Sequence, residues 1–266
     1  MAWISSSVGG SGGGLGGGFG RGGGPGVGGG RRRGGAAVAG TQRLGADADV
    51  LDRTGAAAER GQTLLLEERV PFVRELAALV ARSPSGQAAA WPVVETVQTD
   101  GVCTEVIAPA PGLAEDAAVA ATEVALEIAA ALAVTGVLAV ELFETTDERL
   151  LVNELAMRPH NSGHWSQDGA VTGQFEQHVR AVLDLPLGDT APRAPWSTMI
   201  NILGGPATDS LQSRFAAVLA EHPAVKVHTY GKAPRPGRKV GHVNAWGEDL
   251  DSVVYEARAA AAFFED

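Results

Sequence analysis

Eighteen of the first 35 residues are glycine, half of the 36 glycines in the 266-residue chain. Glycine loses more backbone freedom on ordering than any other residue and brings no side chain to bury in return. Such a tract supplies no core, so the fold must be built from residues further along the chain. A phosphate-cradling glycine loop is the alternative reading, but it needs a strand before it and a helix or strand after it. Neither pattern flanks this tract. Residues 1–60 are therefore expected to be a disordered Gly/Arg-rich segment, with folded sequence beginning near Gly61.

Charge separates the same two regions. The formal net charge is -10, yet residues 1–46 carry five arginines and no acid, which leaves 16 basic against 31 acidic groups beyond them. An acidic body lacks the clustered positive surface of a nucleic-acid binder, and the arginines read as a solvated tail. A single cysteine, Cys103, excludes an internal disulfide framework and suits a reducing compartment. No apolar run reaches membrane-spanning length, and Met1-Ala-Trp-Ile-Ser lacks the regions of a signal peptide. No nucleic acid and no membrane are expected as partners, and the cytoplasm is the expected location.

From Gly61 the pattern is α+β. Gln62–Val70 reads as a strand. Phe72–Arg82 fits helix or strand by periodicity, with the following SPSG turn making strand plausible. Ala89–Val97 and Thr104–Ala108 read as strands, and residues 113–133 as a helix with Val124, Ile128 and Leu132 as its apolar row. Strands Gly136–Thr145 and Leu150–Leu155 follow, joined by Thr146-Asp147-Glu148-Arg149. Thr172–Leu183 reads as a helix ended by Pro186 and Gly188. Residues 61–188 thus form one expected domain. Residues 189–266 form a small β-rich one, with short strands and an alanine-rich helix over 251–264.

The strands around residue 147 carry the sharpest inference. A symmetric four-residue turn pairs residues whose numbers sum to 295, so Val152 faces Phe143 and Glu154 faces Glu141. Directly opposed residues share a face with Cβ atoms about 4.5–5.5 Å apart. Two bare carboxylates there repel unless a cation lies between them or one pKa rises strongly. Oxygen ligands of this kind, with phosphates, are the usual surroundings of Mg²⁺, and Asn153 adds another oxygen if the strand ends there. Two exposed strand-edge glutamates are the plainer alternative.

Two further segments concentrate chemistry. Arg158-Pro-His160-Asn161-Ser-Gly-His164-Trp165 cannot form a regular helix, and loops on rigid scaffolds often carry function. Arg158 is suited to clamping an oxyanion bidentately, and His160 and Asn161 to orienting a substrate. A zinc site from His160 and His164 lacks both the helical frame and a cysteine partner; a loop bonded only to itself is the plain reading. Lys232-Ala-Pro-Arg235-Pro-Gly-Arg238-Lys239 gathers four cations around a Pro-Gly turn, fit for one phosphate or simply solvated.

Taken together, AVELFETTDERLLVNELAMRPHNSGHW, DGAVTGQFEQHVRAVLDLPLG, VHTYGKAPRPGRKVGHVN and LLLEERVPFVRELAALVARSPSGQ resemble the N5-carboxyaminoimidazole ribonucleotide synthetases, over roughly residues 61–266. The resemblance implies a partial ATP-grasp fold, an antiparallel sheet with packed helices, plus the small C-terminal domain. It implies ATP-dependent carboxylation of 5-aminoimidazole ribonucleotide with bicarbonate, through carboxyphosphate, with Mg²⁺ and a homodimer. Carried over by position, Glu67, Glu68, Arg69 and Val70 line the adenine hinge and Glu75 holds the ribose. Glu141 and Glu154 bind Mg²⁺, with Asn153 and Glu154 on the nucleotide phosphates. Arg158, His160 and Asn161 meet the imidazole ribonucleotide or carboxyphosphate, and Lys232, Arg235, Arg238 and Lys239 take the substrate phosphate. The family's N-terminal Rossmann-like domain and phosphate-binding lysines have no counterpart in residues 1–60, which contain no lysine. A truncated start is therefore expected, with an impaired remnant serving as a binding module as the alternative to a working ligase. Another ATP-grasp carboxylase acting on a different amine is a third reading, against which the RPHNSGHW segment argues.

Overall fold

The computed structural model describes residues 2–7, 38–43, 59, 63–68, 70–206 and 210–265. The chain divides into two compact units, Met1–Val70 and Pro71–Asp266. In the first, strands β1 (Ala2–Ser7), β2 (Val38–Arg43) and β3 (Thr63–Glu68) form an antiparallel sheet in the order β2-β1-β3. Strands therefore do flank the glycine tract, contrary to the expectation that none would. Each is only six residues long and β1 is half serine, so neither shows a readable alternation. The tract itself, 8–37, lies outside the described residues.

The second unit holds a nine-stranded sheet. Its strands are β4 (Phe72–Arg82), β5 (Ala88–Ala90), β6 (Val94–Thr99), β7 (Val102–Ala108), β8 (Gly136–Thr145), β9 (Leu150–Ala156), β10 (Trp196–Leu203), β11 (Lys226–Thr229) and β12 (Lys239–Gly247). Every pairing is antiparallel, in the order β11-β12-β10-β7-β6-β4-β8-β9 with β5 on β4. Phe72–Arg82, ambiguous in sequence, is a strand because it lies between β6 and β8 and is buried on both faces over Leu76–Ala81. The stretch read as one strand over 89–97 breaks at Trp91-Pro92-Val93, where proline removes a ladder donor.

Among the described residues five helices accompany this sheet: α1 (Glu115–Ala131), α2 (Ser166–Gly169), α3 (Gln174–Val182), α4 (Phe215–Glu221) and α5 (Leu250–Ala262). α1 buries Ala121, Ala125 and Ala129 against Leu76, Val80, Leu138 and Val140. Of the Val124–Ile128–Leu132 row expected to face the core, only Ile128 packs against it. Val124 and Ile128 are half-buried and Leu132 is 54% exposed, because the alanine stripe lets the helix sit closer to the sheet than the bulkier row allows. The opposite face of the same strands packs Ala77, Leu79, Val137 and Ala139 against Trp165, Ala170 and Ala181. Residues from 189 on have a core of their own, around Ile202, Val218, Val240, Val243, Ala257 and Phe264. Their sheet is nonetheless continuous with the rest, since β10 pairs with β7.

α1 ends on Ala133, which adopts a left-handed conformation (φ 48) and is exposed. Glycine has no Cβ penalty there. Ala133→Gly is expected to stabilise the chain by about 0.5–1 kcal/mol, read as a higher urea midpoint with an unchanged slope.

Candidate active site

The hairpin of β8 and β9 closes one residue tighter than a symmetric four-residue turn. Thr145 N–H donates to the Arg149 carbonyl (2.9 Å), Glu148 N–H donates to the Thr145 carbonyl (3.0 Å), and Glu148 takes a left-handed φ of 60. Leu150, Leu151 and Val152 therefore face Glu144, Phe143 and Leu142, and the expected Val152–Phe143 pair does not form. The register then shifts between Glu141 and Leu142. Asn153 is the extra residue of a β-bulge, and beyond it Glu154 pairs directly with Glu141. Two departures from the symmetric turn cancel at the two glutamates.

Glu141 and Glu154 lie on the sheet face that carries Ala139 and Ala156. Glu75 shares that face, because Ala77 pairs with Glu141 and Glu75 with Phe143. Burial, the Glu154 charge and the Glu75 charge push the Glu141 carboxyl up to about 7. Burial raises Glu75 as well, despite its bond with Gln98. These are the marks of acids facing one another with too little positive charge between them.

The His160–Trp165 segment crosses the same face as a short 3₁₀ turn over Asn161–Gly163, followed by α2. His160 Nε2 lies 3.4 Å from Glu141 Oε1. Burial holds the His160 imidazole down to about 4, so this approach is not an ion pair at neutral pH. Ser162 N–H donates to His160 Nδ1 (3.4 Å), which leaves Nε2–H turned toward Glu141. Asn161 exchanges amide hydrogen bonds with Asn201 of β10 (2.9 and 2.7 Å) and accepts one from Lys239 Nζ (3.1 Å). Asn201 also donates to the Cys103 carbonyl (2.9 Å). Burial lowers Lys239 and raises the Cys103 thiol to about 11.

Behind the loop stand three stacked imidazoles. His164 lies 4.8 Å from His242, and His228 lies 4.6 Å from His242 on the neighbouring strand, both at 17°. Tyr230 Oη contacts His242 Nδ1 (2.6 Å), and His228 Nε2 contacts Asp168 Oδ2 (2.8 Å). Burial drives both His164 and His242 well below the ordinary histidine value. His164 and His242, both kept neutral by burial, stack without mutual repulsion and give the loop a rigid floor.

The structure thus gathers Glu75, Glu141, Glu154, His160, Asn161 and Lys239 of the expected set. Lys239 opens β12 opposite Leu203 and turns to Asn161, while Lys232 Nζ donates to the Lys239 backbone carbonyl (3.4 Å). Lys232 and Arg235 are exposed in the turn between β11 and β12 and Arg238 is half-buried there. Arg238 Nη1 donates to the Ala233 carbonyl (3.3 Å), and none of the four cations meets a carboxylate among the described residues. Arg158 is exposed and donates to the Pro159 carbonyl (3.3 Å), and Asn153 is exposed. Glu67 and Glu68 end β3 in the first unit, Val70 closes that unit half-buried, and Arg69 lies outside the described residues. Sequence reasoning missed Asn201 and Cys103. Nothing in TMINIL marks its asparagine, whose position depends on strand pairings remote in sequence.

Comparison with known proteins fits this geometry. The ATP-grasp domain family matches residues 31–175, and the phosphoribosylaminoimidazole carboxylase C-terminal domain matches 197–256. The chain belongs to the ATP-grasp family, among the N5-carboxyaminoimidazole ribonucleotide synthases. The ATP-grasp match begins at residue 31, thirty residues before the expected start of family-like sequence. The Mycobacterium tuberculosis H37Rv N5-carboxyaminoimidazole ribonucleotide synthase is 56% identical over 231 residues, 86% of this chain and 54% of its own length. The Corynebacterium ammoniagenes synthase is 48% identical, over 89% of this chain and 59% of its own. This ATP-grasp chain thus spans between half and three fifths of the length of these relatives. Among solved structures, the Thermus thermophilus synthetase superposes with a TM-score of 0.71 at 41% identity, over 86% of this chain and 59% of that one. The Aspergillus clavatus enzyme in complex with ADP and 5-aminoimidazole ribonucleotide superposes at 0.75 and 31% identity, over 85% and 60%.

Glu141 makes stability depend on pH. Its folded pKa of about 7 lies above the ordinary value of 4.5, so folding takes up a proton between them. The stabilisation is full below the lower value and is lost as pH rises through the upper one. Without added cations, the wild type is expected to lose about 1–3 kcal/mol more than Glu141→Gln between about pH 5 and pH 8. Urea unfolding at both pH values measures it; equal losses in the two chains contradict the reading.

Proposed function

We propose that this chain carries the metal, nucleotide-phosphate and substrate-phosphate groups of an N5-carboxyaminoimidazole ribonucleotide synthase. The reaction is ATP-dependent carboxylation of 5-aminoimidazole ribonucleotide. Bicarbonate is phosphorylated to carboxyphosphate, whose carboxyl group, or CO2 from it, is captured by the 5-amino group, giving ADP, phosphate and the N5-carbamate. The observation that carries the reading is the Glu141–Glu154 pair, with the Glu141 carboxyl pushed up to about 7 beside His160, Asn161 and Lys239. A pair so short of positive charge fits Mg²⁺, and Glu141 and Glu154 would hold it. Held there, Mg²⁺ would supply positive charge to offset that on nucleotide phosphate oxygens.

The remaining groups take the roles expected of them from sequence. His160 is neutral at physiological pH and bonds a substrate without adding charge. Asn161, held by Asn201 and Lys239, offers a fixed amide for orienting the imidazole or the carboxyphosphate. Arg158, exposed beside them, clamps an oxyanion. Lys239, Lys232, Arg235 and Arg238 supply positive charge for the ribonucleotide 5′-phosphate. Glu67, Glu68, Arg69 and Val70 serve the adenine, Glu75 the ribose, and Asn153 and Glu154 the nucleotide phosphates. Residues 61–188 belong to the ATP-grasp part and 189–266 to a small C-terminal domain. No helix among the described residues is long and apolar enough to cross a membrane. A cytoplasmic homodimer completes the reading.

The test is phosphate release dependent on ATP, bicarbonate and 5-aminoimidazole ribonucleotide. This chain is joined to the part of the M. tuberculosis relative that it does not match, and compared with the chain alone. The joined protein is expected to turn over, and Glu154→Gln to lower its kcat at least ~100-fold. Turnover unaffected by Glu154→Gln refutes the assignment.

A further inference from the structure

Gln174 opens α3, is 0% exposed, and uses every polar atom of its side chain on one loop. Its Oε1 accepts the His160 backbone N–H (2.8 Å) while its Nε2 donates to the His160 carbonyl (2.8 Å). This reciprocal pair is what a neighbouring strand would offer in an antiparallel ladder, so a side-chain amide stands in for a strand where the chain leaves β9. The second proton of Nε2 reaches His164 Nδ1 (2.8 Å). An amide N–H can only donate, so His164 carries its proton on Nε2 and presents a bare Nδ1. The backbone of Gln174 is fixed as well. Its N–H donates to Ser166 Oγ (3.0 Å), which donates in turn to the Gly163 carbonyl (2.6 Å). Gly163 has no room for a side chain, since a Cβ there would collide with Leu79 and with Gln174 Oε1.

We infer that Gln174 is a positioning residue that sets the aim of His160 and selects the tautomer of His164 at the base of the site. The inference deepens the proposed function and rests on it for what the loop does. The hydrogen-bond assignment is testable without turnover. Two adjacent residues of the loop are tied by different means, Asn161 to the sheet through Asn201 and His160 to α3 through Gln174. Loss of the second tie frees the imidazole that faces Glu141 while leaving Asn161 held.

Gln174→Glu separates this role from mere packing. The carboxylate keeps the acceptor for His160 N–H but sets an oxygen against His164 Nδ1, which is then driven to bind a proton. The groups that act electrostatically on His164 are His160, His228, Lys232 and Lys239, with His242 stacked on it. Burial opposes that proton most and these groups oppose it further, so the rise is credited to the new charge where it exceeds the midpoint of Gln174→Met, which opens the site without adding charge. In imidazole ¹⁵N spectra of the full chain, wild-type His164 is expected to show an unprotonated Nδ1 down to about pH 5. In Gln174→Glu its midpoint is expected to climb by roughly 1–3 pH units. In Gln174→Met, the His160 amide is expected to exchange at least ~10-fold faster while the Asn201 side-chain amide signals stay in place. A wild-type His164 protonated at Nδ1 overturns the inference even if neither variant folds, and so does an unmoved midpoint in the glutamate variant. In the joined enzyme, Gln174→Glu is expected to lower kcat about tenfold or more with the KM for ATP unchanged. If the NMR results hold but the wild-type joined enzyme shows no turnover, the proposed function fails and the placement of Gln174 stands.

Discussion

Two like charges forced together by a β-ladder organise this molecule. Glu141 and Glu154 face each other across β8 and β9, where cross-strand neighbours lie close enough for carboxylates to repel. The ladder on either side holds the pair in place. Leu142, Val140 and Ala139 are buried in the cores above and below the sheet. Arg74 locks the turn-proximal end by binding Glu144, Glu95 and the Pro111 carbonyl at once. The sheet is therefore stiff around a destabilising pair, and the cost appears as the raised Glu141 carboxyl. Structures tolerate such costs where a ligand relieves them.

The rest of the second unit is arranged around that pair. The order β7-β6-β4-β8-β9 brings Glu75 beside Glu141, and β10 and β12 bring Asn201 and Lys239 to the same face. Burial keeps His160 and His164 neutral, so positive charge at the face comes from Lys239, Arg158 and Lys232. The continuous sheet matters here. A C-terminal module with its own core still delivers Lys239 to Asn161, because its strands extend the same ladder.

Much of this was legible from residue order alone. Opposition of the two glutamates follows from the spacing across a short turn, but it came out right through compensation: the tighter turn and the Asn153 bulge each shift the register by one. Local sequence fixes that turn weakly, since Glu148 takes a left-handed conformation more usual for glycine or asparagine. α1 was legible as a helix, yet its buried stripe was misassigned, because side-chain size pointed to Val124 and Leu132 while close approach to the sheet selected alanine. Gln174, Asn201 and Cys103 carried no signal, as partners far along the chain define each of them. The strands at Ala2–Ser7 and Val38–Arg43 were hidden by the composition between them.

The most direct measurement is a carboxyl-detected NMR titration of the chain labelled at glutamate, with Glu141 followed in the wild type and in Glu154→Gln. The Glu141 midpoint is expected at about 7 in the wild type, moving toward the ordinary carboxylate range once the charge opposite is removed. A Glu141 that titrates normally in the wild type, or that ignores the loss of Glu154, contradicts the pairing on which the site depends.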